Sequence, residues 1–135
     1  MTAITPMYSS LYSTLKAGTA LTALVGTAAI YNKQAPDGAT LPYVVFSVQA
    51  STPDNDHSMN AENMIVYVRG YASTDLAAQN ISTQIDNLLH GKNLAITGYS
   101  TYWCAREQDL ELVDNGPNGE KIFMAGGFYR IRCSK

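Results

Sequence analysis

Residues Ile30–Val48 read IYNKQAPDGATLPYVVFSV, in which a two-residue extended piece is followed by a polar connector and an apolar run. The connector contains Pro-Asp-Gly beginning at Pro36, a turn chemistry that argues against regular structure. Pro42 opens the apolar run, at the first strand position, where proline is tolerated. The β-branched and aromatic residues that follow predict a largely buried strand over Tyr43–Ala50.

Two helical segments precede this strand. The first has apolar residues at every fourth position, with a threonine N-cap, a proline at the first helical position and a terminating glycine. These residues are Thr5, Pro6, Met7, Leu11, Leu15 and Gly18. A shorter helix is predicted over Ala20–Val25 and ends at Gly26. Together the two helices are expected to cover one face of a sheet.

Further strands and a second main helix follow. Strands are predicted at Asn63–Tyr71, Tyr99–Glu107 and Ile122–Cys133, a helix from Ser73 or Thr74 to His90, and polar connections at Ser51–Ala61 and Asp109–Lys121. Both faces of the Asn63–Tyr71 strand are apolar or aromatic, so both are expected to be covered. The chain is therefore predicted to be one domain, residues 1–135, of the α+β class. Its single antiparallel or mixed sheet should have about four to five strands, with two main helices packed on it.

Charged residues make up only 15% of the 135 residues, below the roughly 25% typical of soluble domains. We interpret the largely neutral surface as covered in part by neighbouring subunits; a monomer solvated by Thr, Ser, Asn and Gln is the alternative. The formal net charge of −2 and nine scattered basic residues argue against binding nucleic acid through its phosphates. With neither a long apolar segment nor a signal-peptide pattern, we expect no membrane partner and a cytoplasmic protein.

The two cysteines, Cys104 and Cys133, lie in predicted strands and lack the spacing of a metal or redox motif. A hairpin that turned at Asn118 and Gly119 would place them opposite each other. Two reduced thiols packed as small apolar groups are favoured for a cytoplasmic protein, and a bond between them is the alternative.

His57 and His90 are the only histidines. His90 is interpreted as a cation in the last turn of its helix, where the helix dipole favours positive charge. His57 lies beside two aspartates, but a calcium loop counted from Asp54 has Met59 at its glycine position. A solvated loop is therefore expected there rather than a metal site.

Glu107, Asp109 and Glu111 alternate with other residues, so a strand would place three carboxylates on one face. We interpret them as keeping an exposed strand end soluble, and a metal or acid–base site is the alternative. No catalytic residue, cofactor or metal site is predicted.

The order of elements combines two leading helices with more specific segments. These are Ile30-Tyr31, Ala35-Pro36, Pro42-Tyr43-Val44-Val45-Phe46, a strand ending near Tyr71, a helix over Asp75–Leu89, and a last strand ending in Arg130-Ile131-Arg132. This succession resembles the tail-completion, or tail-terminator, family of long-tailed bacteriophages, the group that includes the lambda-type terminator.

The resemblance implies an α+β subunit of a homohexameric ring that caps the tail tube, ends tube polymerisation and provides the head–tail joining surface. The implied partners are the tail tube protein and the head–tail connector or stopper protein. DNA would pass through the ring without specific binding. The implied location is the tail or neck of the virion, after assembly in the host cytoplasm.

Partner contacts are predicted at two polar loops, because loops on a rigid sheet are where binding usually lies. The residues are Asp54, Asn55, Asp56, His57, Asn115, Gly116, Asn118 and Gly119.

Three other functions stay open on the sequence. The first is another ring protein of the phage neck, such as a head-completion or stopper protein. The second is a small cytoplasmic ligand-binding module. The third is an enzyme that uses Glu107, Asp109 and Glu111 with a metal.

Overall fold

The computed structural model describes residues 4–26, 29–36, 39–56, 59–116 and 119–134. Within these ranges, three helices and five strands follow one another along the chain: α1 Ile4–Ala17, α2 Thr19–Val25, β1 Ile30–Asn32, β2 Tyr43–Asp56, β3 Met59–Ala72, α3 Asp75–Leu89, β4 Ser100–Asn115 and β5 Lys121–Ser134. The strands form one sheet in the order β1-β2-β3-β5-β4. Because β1 is parallel to β2 and the other pairs are antiparallel, the predicted α+β class with a mixed sheet is confirmed.

The helices pack on one face of the sheet, where alternate strand residues meet helix residues spaced three and four apart. In α1 the predicted apolar stripe of Met7, Leu11 and Leu15 is fully buried. The helix begins at Ile4, so Thr5 lies in its first turn rather than at the predicted N-cap. The strands add alternate residues to the same core: Val44, Phe46, Met64, Val66, Val68, Tyr129 and Ile131.

The helix α3 begins at the predicted cap and lies close to the sheet. Thr74 Oγ1 accepts a hydrogen bond from the Ala77 N–H at 3.2 Å. Gly70 of β3 lies beneath Ile81, and a Cβ at position 70 would collide with the Ile81 side chain. The helix is 15 residues long, and no helix in the described ranges is long and apolar enough to cross a membrane.

The prediction of a polar loop over Ser51–Ala61 is wrong. β2 continues to Asp56 and β3 begins at Met59, so most of this segment is paired as a hairpin. The backbone hydrogen bonds of an antiparallel pair do not depend on apolar side chains. Polar composition therefore did not end the strand.

The connection predicted at Asp109–Lys121 is shorter than expected for the same reason. β4 extends to Asn115 and β5 begins at Lys121. Gly119 has φ of 81° and supplies the left-handed conformation that the remaining turn needs.

Cys104 and Cys133 do not lie opposite each other. Cys104 pairs with Ile131, and Cys133 pairs with Thr101. The strands leave the turn with Asn115 opposite Lys121, one residue away from the assumed register, and the register shifts within β4 displace the pairing further. Both thiols are free and buried, so the reduced-thiol interpretation is confirmed.

The opposite face of the sheet carries a succession of aromatic rings. Tyr43 lies between Tyr31 and Tyr71, with ring centroids 5.9 Å and 5.1 Å away. The Arg69 guanidinium lies 4.3 Å from the centre of the Tyr67 ring. Both faces of β3 were expected to be covered. On this face, the covering groups are side chains of the sheet itself, and they leave Tyr67 and Tyr71 half-buried.

Candidate partner surface

The residues predicted to contact partners lie at two hairpin ends. The described members are three residues at the end of β2 and three around the β4–β5 turn: Asp54, Asn55, Asp56, Asn115, Gly116 and Gly119. His57 and Asn118 lie outside the described residues. The Gly116 N–H donates to the Glu120 carbonyl at 2.6 Å and closes the second turn.

The two hairpin ends lie at opposite ends of the sheet. Asp54 pairs with Ala61, which in turn pairs with Ser134 at the end of β5. Asn115 pairs with Lys121, at the beginning of β5. The 14 residues of β5 span about 45 Å, so the fold separates the two groups instead of joining them into one site.

The strand β4 forms an edge of the sheet, and only its first half is covered on the outer side. The Gly91 N–H donates to the Cys104 carbonyl at 2.7 Å, and the Arg106 N–H donates to His90 Nδ1 at 3.0 Å. No described segment pairs with the outer side of β4 over residues 108–115. This half of the strand is therefore available to another chain.

The contact with β4 also involves His90. Its Nδ1 accepts a hydrogen bond from the Arg106 N–H. The residue lies at the C-cap, just after α3, and not in the last helical turn as predicted. The residue ends α3, its N–H donating to the Asp86 carbonyl at 2.9 Å, and it covers the strand edge.

Glu107, Asp109 and Glu111 do not act as one cluster. A β-bulge follows Arg106, and Glu107 meets Arg130 at 2.7 Å, whereas Asp109 meets Arg106 at 3.1 Å. Because the bulge changes the side to which successive residues point, the prediction that the three acids share a face is wrong. In the part of the chain that the structure describes, no group of three or more His, Cys, Asp or Glu residues could hold a metal ion.

Arg106 joins β4 to α3. It donates to Ser82 Oγ at 2.8 Å, and its Nε lies 3.6 Å from Asp86, an ion-pair distance. The Tyr129 hydroxyl also donates to Asp86, at 3.2 Å. Burial raises the pKa of Tyr129, an effect that Arg106 opposes and Asp86 reinforces, so the hydroxyl stays protonated. These groups bind one another across the seam between helix and strand, which indicates a structural role.

The folded chain also reveals two surface features that the sequence analysis missed. The first, which we name the β4 apolar pair, consists of Leu112 and Val113, which are 63% and 58% exposed. The second, the α1–β1 groove, is a cavity of about 280 Å³ at the other side of the sheet. Its lining residues are Tyr8, Ser9, Tyr12, Ile30, Asn32 and Phe46. The sequence signal for the first was two adjacent apolar residues within an acidic segment; the groove has no local signal, because α1 and β1 contribute jointly.

A comparison with a solved structure agrees with this fold. A chain of the virion of a native gene transfer agent particle aligns with a TM-score of 0.73 at 16% identity, covering 94% of this chain and 93% of that chain. The gp17 protein of bacteriophage SPP1 aligns with a TM-score of 0.48 at 20% identity, covering 98% of this chain and 90% of that chain. No curated protein sequence matches.

The sequence family described as "Tail completion protein gp17" matches residues 9–124, which is most of the chain. The resemblance drawn from the order of elements is therefore confirmed. The chain belongs to the tail completion protein gp17 family and is a structural protein of the bacteriophage tail.

Proposed function

We propose that the protein is the subunit of a homohexameric ring that caps the tail tube, ends its polymerisation and joins it to the head-side connector. The family supports a role in completing the tail. The observation that supports a ring is the architecture of the sheet. Its two edge strands, β1 and β4, differ, and its two hairpin turns lie at opposite ends of the strands.

A closed ring of identical subunits needs two different surfaces on each copy, because every copy meets its two neighbours through opposite sides. The β1 edge and the uncovered half of β4, residues 108–115, lie at opposite sides of the sheet. If they make the lateral contacts, the strands run from one face of the ring to the other. The end of β2 near Asp54–Asp56 then points to one axial partner, and the turn between Asn115 and Gly119 points to the other.

The proposed role requires no catalysis, cofactor or membrane. A subunit with a net charge of −2 and scattered basic residues gives passing DNA little to bind, so DNA moves through the ring without specific contacts. Assembly takes place in the host cytoplasm before the tail joins the head.

Mass measurement of the purified protein, alone and with tail tube protein, tests the ring. The expected particle contains six copies of the 14.6 kDa chain, either free or bound to the tube. A monomer under both conditions overturns the ring.

Electron microscopy of particles made without the protein separates it from a stopper. Overlong or unterminated tails are expected for a protein that ends tube polymerisation. Tails of normal length beside heads that leak DNA would instead assign the protein to the head side of the neck.

The axial contact at the end of β2 has its own test. Charge reversal or deletion within the segment Asp54–Ser58 is expected to impair the joining of tails to heads while leaving ring assembly intact. Thr83→Ala, an exposed change on α3, is the control. Normal infectious particles from the Asp54–Ser58 variant contradict this assignment.

A further inference from the structure

The β4 apolar pair is unusual for an edge strand, because such strands are normally protected by charge and not by exposed aliphatic residues. Glu111 and Asp114 flank Leu112 and Val113, and neither acid forms an ion pair with a described residue. The surrounding segment, residues 107–120, contains five acids and no basic residue. Successive strand residues point to opposite faces of the sheet. Glu111 and Val113 pair with Ala125 and Phe123, whose side chains lie on the helix-covered face, so they point to that face, and Leu112 and Asp114 point to the other. On the helix-covered face, the uncovered half of β4 therefore presents one exposed valine beside one acid.

The α1–β1 groove has the complementary character. Aromatic and aliphatic side chains from α1, β1 and β2 form most of its wall. The only charged side chains in residues 1–36 are Lys16 and Lys33. Lys16 Nζ lies 5.6 Å from the centre of the Tyr12 ring in the groove wall, and exposed Lys33 directly follows β1. The groove therefore offers an apolar floor with a positive border.

The two features lie at the same level along the strands. Ile30 in the groove pairs with Val44, which pairs with Gly70. Gly70 pairs with Ala125, and Ala125 pairs with Glu111. Glu111 immediately precedes the β4 apolar pair, so the pair and the groove lie within two residues of one row across the sheet. A ring closes only when each copy is rotated about the ring axis without being shifted along it. Two contact surfaces at the same height along the strands satisfy that condition.

We propose that the uncovered edge of β4 in one copy of this chain docks on the α1–β1 side of the next copy, with Val113 of the β4 apolar pair entering the α1–β1 groove. Glu111, on the same face as Val113, then faces the positive border of the groove. The inference rests on the proposed ring and specifies which surfaces hold it together. The occupant of the groove is a second copy, because the complementary charge, apolar content and level all occur on this same chain.

Cysteine cross-linking tests the contact directly. Cys104 and Cys133 are fully buried, so engineered surface thiols can be oxidised selectively. Ser9→Cys places a thiol at the groove and Val113→Cys places one in the apolar pair; both positions are exposed. After oxidation, the double variant is expected to give a covalent series that ends at the size of the ring. A mixture of the two single variants should give dimers containing one of each and nothing larger.

The matched control replaces the groove thiol with one on an exposed part of α3. Thr83→Cys combined with Val113→Cys should stay monomeric in denaturing gels. A second variant, Val113→Asp, is expected to weaken self-association at least about tenfold without changing the circular dichroism of the subunit.

The outcomes separate this inference from the ring itself. Rings of the expected mass without cross-links overturn the surfaces named here and leave the ring standing. Neither rings nor cross-links overturn both. Val113→Cys alone forming dimers as fast as the mixture indicates a back-to-back contact and overturns the head-to-tail one. Cross-linking of Val113→Cys to tail tube protein in place of a second copy assigns the pair to an axial partner and also overturns it.

Discussion

At the scale of single residues, Arg106 has the most consequential position in the described chain. It stands just before a β-bulge, and its guanidinium reaches back from the strand to Ser82 and Asp86 on α3 while also meeting Asp109. Its backbone N–H is bound by His90. One residue thus connects the helix end, the strand edge and the bulge that sends Glu107 towards Arg130.

Replacing Arg106 by methionine is expected to lower the free energy of unfolding by about 2–3 kcal/mol. The apolar stem is retained, but Asp86 and Asp109 lose their cation and Ser82 loses a donor at a largely buried seam. Arg130→Met is the matched control: it removes a more exposed ion pair and should cost less than about 1 kcal/mol. Urea unfolding measures both, and equal costs would show that Arg106 is an ordinary surface cation.

At the scale of elements, α3 illustrates how local signals set boundaries. Thr74 stops the backbone from fraying at one end by accepting the Ala77 N–H, and His90 closes the other end through the Asp86 carbonyl. Between these caps, the buried face packs on β3 and β5, where Gly70 leaves room for Ile81.

Thr74→Ala is expected to lower the free energy of unfolding by about 1 kcal/mol, because one N–H at the start of α3 loses its acceptor. Thr83→Ala is the control for removing a threonine from the same helix. Thr83 is exposed and its hydroxyl donates only to the Gln79 carbonyl, so its replacement should be neutral or slightly stabilising. Thermal unfolding compares the two, and equal effects would contradict a capping role.

The predictability of these elements follows from the kind of signal each one has. The helices and the core halves of the strands were predicted because burial imposes a period of 3.6 or 2 on apolar residues. The polar ends of the paired strands, such as the end of β2 at Asp56, were missed. Backbone pairing alone imposes no period on the side chains. The bulges in β4 were also missed, and with them the pairing of Cys104 and the separation of Glu107 from Asp109.

The candidate surface was predictable only in part. A turn was predicted between β4 and β5, but the segment Ser51–Ala61 was predicted as a loop although most of it is paired strand. The separation of the two sites by the length of β5 depends on pairing between distant segments. The α1–β1 groove depends on a helix and a strand that are brought together only by the fold.

At the scale of the whole molecule, two segments at opposite edges of the sheet carry charges of opposite sign. All charged side chains in the first 36 residues are positive, and all those in the segment 107–120 are negative. The fold carries these segments to opposite sides of one sheet. Even with few charges, the two lateral sides of the protein differ in the sign of their charge. This difference favours head-to-tail contacts over contacts between two identical sides.

The stability of the whole molecule is expected to fall in alkaline solution. Burial is the main cause that raises the pKa of Cys104 to about 12 and that of Cys133 to about 11, from an ordinary value of 9.0. Above pH 9 the unfolded chain loses these protons while the folded chain keeps them, so the free energy of unfolding decreases as pH rises. The stabilisation is complete below pH 9, and by pH 11 Cys104 alone should account for a loss of about 2 kcal/mol or more.

Urea unfolding at pH 8, 9.5 and 11 measures this decline, and Cys104→Ala serves as the matched variant. Alanine leaves a small cavity and so lowers stability at pH 8, but it has no proton to lose. Its stability should therefore decline less steeply than that of the natural chain, with Cys133 and Tyr129 supplying the remaining slope because burial raises the pKa of both. Parallel declines in the two proteins would show that the Cys104 thiol ionises as readily in the folded chain as in the unfolded one.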